Sequence, residues 1–170
     1  NKTFKKYKNI DIKSINDSIL RQQSLSNFNF DRGNELHQKI GVLTKKLLIL
    51  KKILMMNNDI KTSFAHCDFT PWNMYITKER LFVYDWEMGE DMPLLFDFFH
   101  YIFQQNILVK QNTYHDINGD ILSLTKNNVF KKIIKNYDID LNIYFGYYLM
   151  INVSYYALKY INQEDLHTQA

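Results

Sequence analysis

Between Thr62 and Glu87 the sequence leaves helical periodicity and gathers oxygen-bearing side chains around two short apolar runs. His66, Asp68 and Asn73 stand together in HCDFTPWN, and twelve residues past Asn73 a second carboxylate, Asp85, closes the run LFVYD. Asp, Thr, Pro and Asn ordinarily cluster to make turns. Asp85, at the end of a β-rich run, adds a second possibility. One carboxylate, Asp68, can accept a hydroxyl proton, while the Asn73 amide oxygen and the Asp85 carboxylate suit a magnesium ion bridging nucleotide phosphates.

The surrounding pattern predicts an α+β fold, mostly α-helical, with a short β-hairpin carrying this chemistry. Met74 to Ile76, a polar Thr77 to Glu79 link and Leu81 to Tyr84 read as the hairpin. Antiparallel neighbours lie about 5 Å apart, so residues flanking such a hairpin can converge on one ion. Thr62 to Ala65 reads as an extended lead into the His66 loop. Upstream, Leu36, Ile40, Leu43, Leu47, Leu50 and Leu54 form one stripe of a long helix from Asn34 to Met56, with Asp31 as its N-cap and four lysines (45, 46, 51 and 52) off the stripe. Downstream, Pro93 suits the first turn of a helix whose apolar face comprises Leu94, Leu95, Phe98, Phe99, Ile102 and Phe103. Residues Asn106 to Gly119 read as a polar loop, and Asp120 and Asp140 as caps of two final helices, Ile121 to Lys135 and Leu141 to Ile161. The first thirty residues read as polar loop with one short helix around Ile15 to Gln22.

A length of 170 residues fits one domain, and the sequence is expected to form a single unit over 1–170. With 46% apolar and 15% aromatic residues and only 5 Gly and 2 Pro, the chain belongs with folded proteins rather than disordered ones. The net charge is +3 and the lysines are scattered, so no basic arm points to nucleic acid. Cys67 stands alone, which excludes an internal disulfide and fits a reducing, cytoplasmic setting. No leader pattern opens the sequence, and it begins at Asn1 rather than at Met, so a processed or truncated piece is expected. The stretch from Leu141 to Tyr160 carries Asn142, Asn152, Ser154, Lys159 and six tyrosines, so it reads as a helix of a folded core rather than a membrane span.

HCDFTPWN, VYDWE and PLLFDFFHYI together resemble the aminoglycoside phosphotransferase and choline kinase group, small-molecule kinases with a protein kinase-like fold. The resemblance covers about Phe64 to Phe103. It implies the C-terminal lobe of such an enzyme, with Asp68 as catalytic base, Asn73 and Asp85 as magnesium ligands, His66 steadying the catalytic loop, and Asp97 bracing that loop. ATP would be the phosphoryl donor, and a hydroxyl of an aminoglycoside, sugar or amino alcohol the acceptor. The chain departs from the family in two places. Cys67 stands where members usually carry glycine, which alone tolerates every backbone region. No β-rich nucleotide lobe with a phosphate-holding lysine precedes His66, so an absent N-terminal ATP lobe is expected, and the chain alone is expected to be inactive.

Other side chains admit two readings each. His66 with Asp68 suggests a metal-hydrolase centre, but no further histidine falls near them in sequence. Glu87 can touch a second metal or solvent, and Glu90 and Asp91 a cationic substrate or solvent. Trp72 and Trp86 can stack on a sugar or adenine ring or pack within the protein. The tyrosines 144, 147, 148, 155 and 156 exceed one core stripe, which suggests an acceptor cleft or an interface. Two rival classes stand beside the enzyme: an inactive kinase-like binding module, and a helical interaction domain whose loop only mimics the motif.

Overall fold

The computed structural model of the protein describes residues 30–56 and 60–162, so the helix expected around Ile15 to Gln22 lies outside the described residues. Contacts divide the chain into two compact units. Among the described residues, one unit runs over 60–148 and the other takes 30–56 with 149–162. The fold is α+β and mostly helical, with two small antiparallel sheets, all four strands lying in the first unit.

In that unit β1 (Thr62–Ala65) pairs with β4 (Glu90–Pro93), from Thr62 opposite Pro93 to Ala65 opposite Glu90. The second sheet is the expected hairpin, β2 (Met74–Ile76) with β3 (Leu81–Val83). Its turn closes through the Thr77 amide donating to Arg80 O at 2.9 Å, while Thr77 Oγ1 accepts the Arg80 amide at 3.0 Å. Tyr84 falls just outside β3.

β4 was not anticipated, and it displaces the expected helix start. Pro93 ends the strand opposite Thr62, and Leu94 donates to Lys61 O at 3.1 Å. Proline is tolerated at such a position because the edge needs no N–H from it. Leu95 then turns through the left-handed region (φ 67°), and α2 runs Phe96–Gln104.

The stretch 106–119, expected to be a polar loop, is largely helical. A π-helical turn, Gln105–Val109, continues α2, and α3 spans Tyr114–Leu124. Thr113 opens α3, with Asp116 Oδ2 accepting the Thr113 amide at 2.9 Å and its hydroxyl at 2.7 Å. Asp120 is therefore not a cap but lies inside α3. It accepts the Asn106 Nδ2 at 3.0 Å, and that amide also donates to Ile102 O and accepts from Asn112. Asn106 is buried with its polar atoms satisfied, which is the condition for placing an amide in a core.

The expected helix over 121–135 is divided in two by Asn127, whose Oδ1 accepts the Val129 amide at 2.8 Å to start α4, Asn128–Tyr137. Asp140 does cap α5, Leu141–Asn162, its Oδ1 accepting the amides of Asn142 and Ile143. The core of this unit is aromatic. Phe99 is fully buried, within 5.2 Å of Phe145 and 5.7 Å of Tyr148, and Phe103 lies 5.3 Å from Tyr148. Tyr144, Tyr147 and Tyr148 are buried here, which accounts for three of the surplus tyrosines, while Tyr155 is exposed.

In the other unit α1 spans Phe30–Met55, so Asp31 falls inside the helix rather than before it. The stripe appears as Leu47 and Leu54, both buried, with Leu43 and Leu50 half-buried and Lys45, Lys46 and Lys52 exposed. In its second segment Met150, Ile151 and Ser154 are buried. Among the described residues no helix is long and apolar enough to cross a membrane.

The Asn127 cap is testable. Asn127→Ala is expected to lower unfolding stability by about 1 kcal/mol, the usual value of a lost N-cap, read as a shifted urea midpoint with unchanged slope.

Candidate functional site

The HCDFTPWN loop follows β1 and is held at its start by one side chain from α2. Asp97 Oδ2 accepts the His66 amide at 2.7 Å, and Asp97 Oδ1 accepts the Cys67 amide at 2.9 Å. Successive amides of an extended strand point to opposite sides, so a single carboxylate reaches both only if the chain turns between them. Directly after these two amides the chain turns again, Cys67 adopting φ 68°, the left-handed region that glycine enters without a Cβ clash.

His66 is fully buried, and its hydrogen bonds assign its tautomer. Nε2 lies 2.7 Å from Tyr84 O, an acceptor only, so Nε2 carries the proton. Nδ1 accepts the Asp68 amide at 3.3 Å. The ring thus ties the loop to the residue after β3. Tyr84 makes two further ties, its amide donating to Asn73 O at 3.1 Å and its hydroxyl donating to Trp72 O.

Asn73 ends a 3-10 turn, Pro71–Asn73, in which proline occupies the first helical position and the Asn73 amide donates to Thr70 O at 3.0 Å. Its side chain folds back on Asp68. Nδ2 donates to Asp68 O at 3.0 Å and to Asp68 Oδ2 at 2.9 Å. Two acceptors facing one end of the amide fix its orientation, because only the NH2 end can serve both. Oδ1 makes no hydrogen bond among the described residues.

The Asp68 carboxylate is 34% exposed, and its second oxygen faces α2. His100 Nε2 stands 3.4 Å from Asp68 Oδ1, a contact the sequence reading missed. His100 lies three residues after Asp97 and so on the same side of α2, which is the one signal that pointed to it. Its burial lowers its pKa below the ordinary 6.5. Asp68 and Asp97 act in the opposite sense, and His66 adds to the lowering.

The remaining candidates are dispersed. Asp85 follows Tyr84 directly, is exposed, and adopts a left-handed conformation (φ 65°, ψ 56°) that aspartate tolerates better than most residues. Its carboxylate makes no hydrogen bond or ion pair among the described residues. Glu87 is exposed in the 3-10 turn Trp86–Met88. Trp86 is half exposed and braces the loop from one side. It stacks on Phe64 at 6.0 Å, tilts against His66 at 4.7 Å, and donates its indole N–H to Val83 O. Trp72 is half exposed, while Glu90 and Asp91 lie on β4. Among the described residues no three His, Cys, Asp or Glu side chains form a metal-binding group, so a cation here would draw on an amide oxygen as well.

His66, Asp68, Asn73, Asp97 and His100 therefore form one connected polar cluster, with Asp85 one residue beyond it. Such a cluster offers a fixed, partly exposed carboxylate beside an unsatisfied amide oxygen. Comparison of the chain with protein-family models, curated proteins and solved structures gave no match.

Two outcomes follow from this geometry. Asp97→Ala is expected to destabilise the fold by about 3 kcal/mol, since it leaves two inward amides without a charged acceptor, with chemical denaturation as the measurement. The second concerns pH. Because the folded-state pKa of His100 is lowered, the unfolded chain takes up its proton first, and stability falls as pH drops through about 6.5 toward the folded-state value. Calorimetry from pH 7.5 downward is expected to show this fall, and His100→Phe to make it shallower.

Proposed function

We propose that the protein is an ATP-dependent phosphotransferase, moving the γ-phosphoryl group to a hydroxyl of a small molecule such as an aminoglycoside, a sugar or an amino alcohol. The observation that carries this reading is the pairing of Asp68 with Asn73. The amide holds the carboxylate through Nδ2 and keeps Oδ1 free, at the spacing the phosphotransferase resemblance attaches to a base and a metal ligand.

In this reading Asp68 orients the acceptor hydroxyl and takes its proton, a role suited to a carboxylate that is fixed yet open to solvent. Asn73 Oδ1 and the Asp85 carboxylate are hard oxygen donors of the kind magnesium prefers, and they would hold it. Bound there, magnesium supplies positive charge against the phosphate oxygens. His66 and Asp97 keep the loop in register by the bonds already described. The reading also needs a nucleotide-holding element in addition to this site, and the resemblance assigns that part to an N-terminal lobe. A cytoplasmic setting agrees with the buried free thiol of Cys67.

Two arms test the reading. Manganese added to the isotopically labelled protein is expected to broaden the Asn73 and Asp85 resonances, and Asp85→Ala to abolish both that broadening and magnesium-dependent ATP binding in calorimetry. In the complete enzyme, Asp68→Asn is expected to lower kcat about a hundred- to ten-thousand-fold, the range of general-base catalysis. An unchanged kcat removes Asp68 from the reaction, and sharp Asn73 and Asp85 signals under manganese remove the metal.

A further inference from the structure

His100 is buried, ionisable and unused by the reading above. It is 1% exposed, and neither ring nitrogen makes an aligned hydrogen bond. Its plane is set by neighbours. Phe96 stacks on it at 6.3 Å and 7°, and Tyr148 meets it edge-on at 6.2 Å. Held in this way, Nε2 faces Asp68 Oδ1 at 3.4 Å, while Asn73 Nδ2 holds the other oxygen, Oδ2, at 2.9 Å.

We infer that His100 is a positioning residue for Asp68, donating Nε2–H to Oδ1 while Asn73 donates to Oδ2, so that the plane of the carboxylate is locked toward the acceptor hydroxyl. The inference rests on the proposed phosphotransferase reading and adds to it a residue outside the recognised spacing. A carboxylate held by one oxygen still rotates about its last bond. One held by both does not, and each oxygen keeps a further lone pair for the substrate proton. The contact as it stands is long and off-axis. Hydrogen bonds of this kind shorten when the acceptor displaces solvent. The competing role is that of an aromatic filler between Phe96 and Tyr148, which a phenylalanine would perform as well.

The deciding experiment begins without turnover. Long-range nitrogen–proton spectra of the 15N-histidine-labelled protein are expected to show His100 protonated on Nε2, and Asp68→Asn to shift that nitrogen while leaving exposed His115 in place. Protonation on Nδ1, or no response of His100 to Asp68→Asn, overturns the inference. In kinetics of the complete enzyme, His100→Phe is expected to lower kcat about 10- to 100-fold, with the KM for ATP held within about twofold. His100→Gln, which returns an N–H at similar reach, is expected to recover most of the loss. Native kcat in His100→Phe, or no recovery with His100→Gln, also overturns it. If His100→Phe does not fold, the spectra of the unaltered histidine decide. A native enzyme without any phosphoryl transfer overturns the proposed function and the kinetic role with it, whereas the spectra still report whether His100 holds Asp68.

Discussion

The acceptance of two consecutive backbone amides by the Asp97 carboxylate is the contact on which the site depends. Hydrogen bonds to an ionised acceptor are shorter and stronger than neutral ones, and two on one side chain fix direction as well as distance. They secure a conformation that Cys67 would otherwise resist, since a side chain at φ 68° crowds the backbone at a cost of about 1–2 kcal/mol. The strain is local and the compensation comes from α2, an element thirty residues away in sequence.

From that anchor the constraints close on themselves. α2 is fixed at its start by the Leu95 turn after β4, and β4 pairs with β1, which leads into the same loop. The far side of the loop is held by Tyr84, which receives the His66 ring N–H and donates its own amide to Asn73 O. Asp68 and Asn73 thus sit between two independent supports, one helical and one from the hairpin. A carboxylate held by such fixed partners has little reorganisation left to do when charge develops near it.

Much of this frame was legible from local pattern. Short apolar runs on either side of the polar Thr77 to Arg80 link specified the β2–β3 hairpin, because strand-forming residue types and turn chemistry are properties of adjacent residues. The Asp140 cap was legible for the same reason. β4 was not, since Glu90 to Pro93 has no strand signature and is extended only because β1 lies beside it. Nor were the π-helical turn and α3, around which Asn106, Asn112 and Asp120 look like loop residues until the bonds of the other two satisfy the buried Asn106 amide. In the site, Asp68, Asn73 and Asp97 were named from their spacing and resemblance, but His100 was not, because nothing local distinguishes a ring that touches Asp68 from one that merely fills a core.

The sequence by itself determined which residue types are available and how they lie on each helix or strand, because periodicity and capping act within a few residues. It fixed the Asp68 to Asn73 spacing, the hairpin that follows, and the common side of α2 shared by Asp97 and His100. Tertiary structure decided which of these groups meet. Only the packing of α2 against the loop brings one carboxylate to two amides and one imidazole to the other face of Asp68, since contacts between residues thirty positions apart depend on the whole arrangement of elements and not on any one of them.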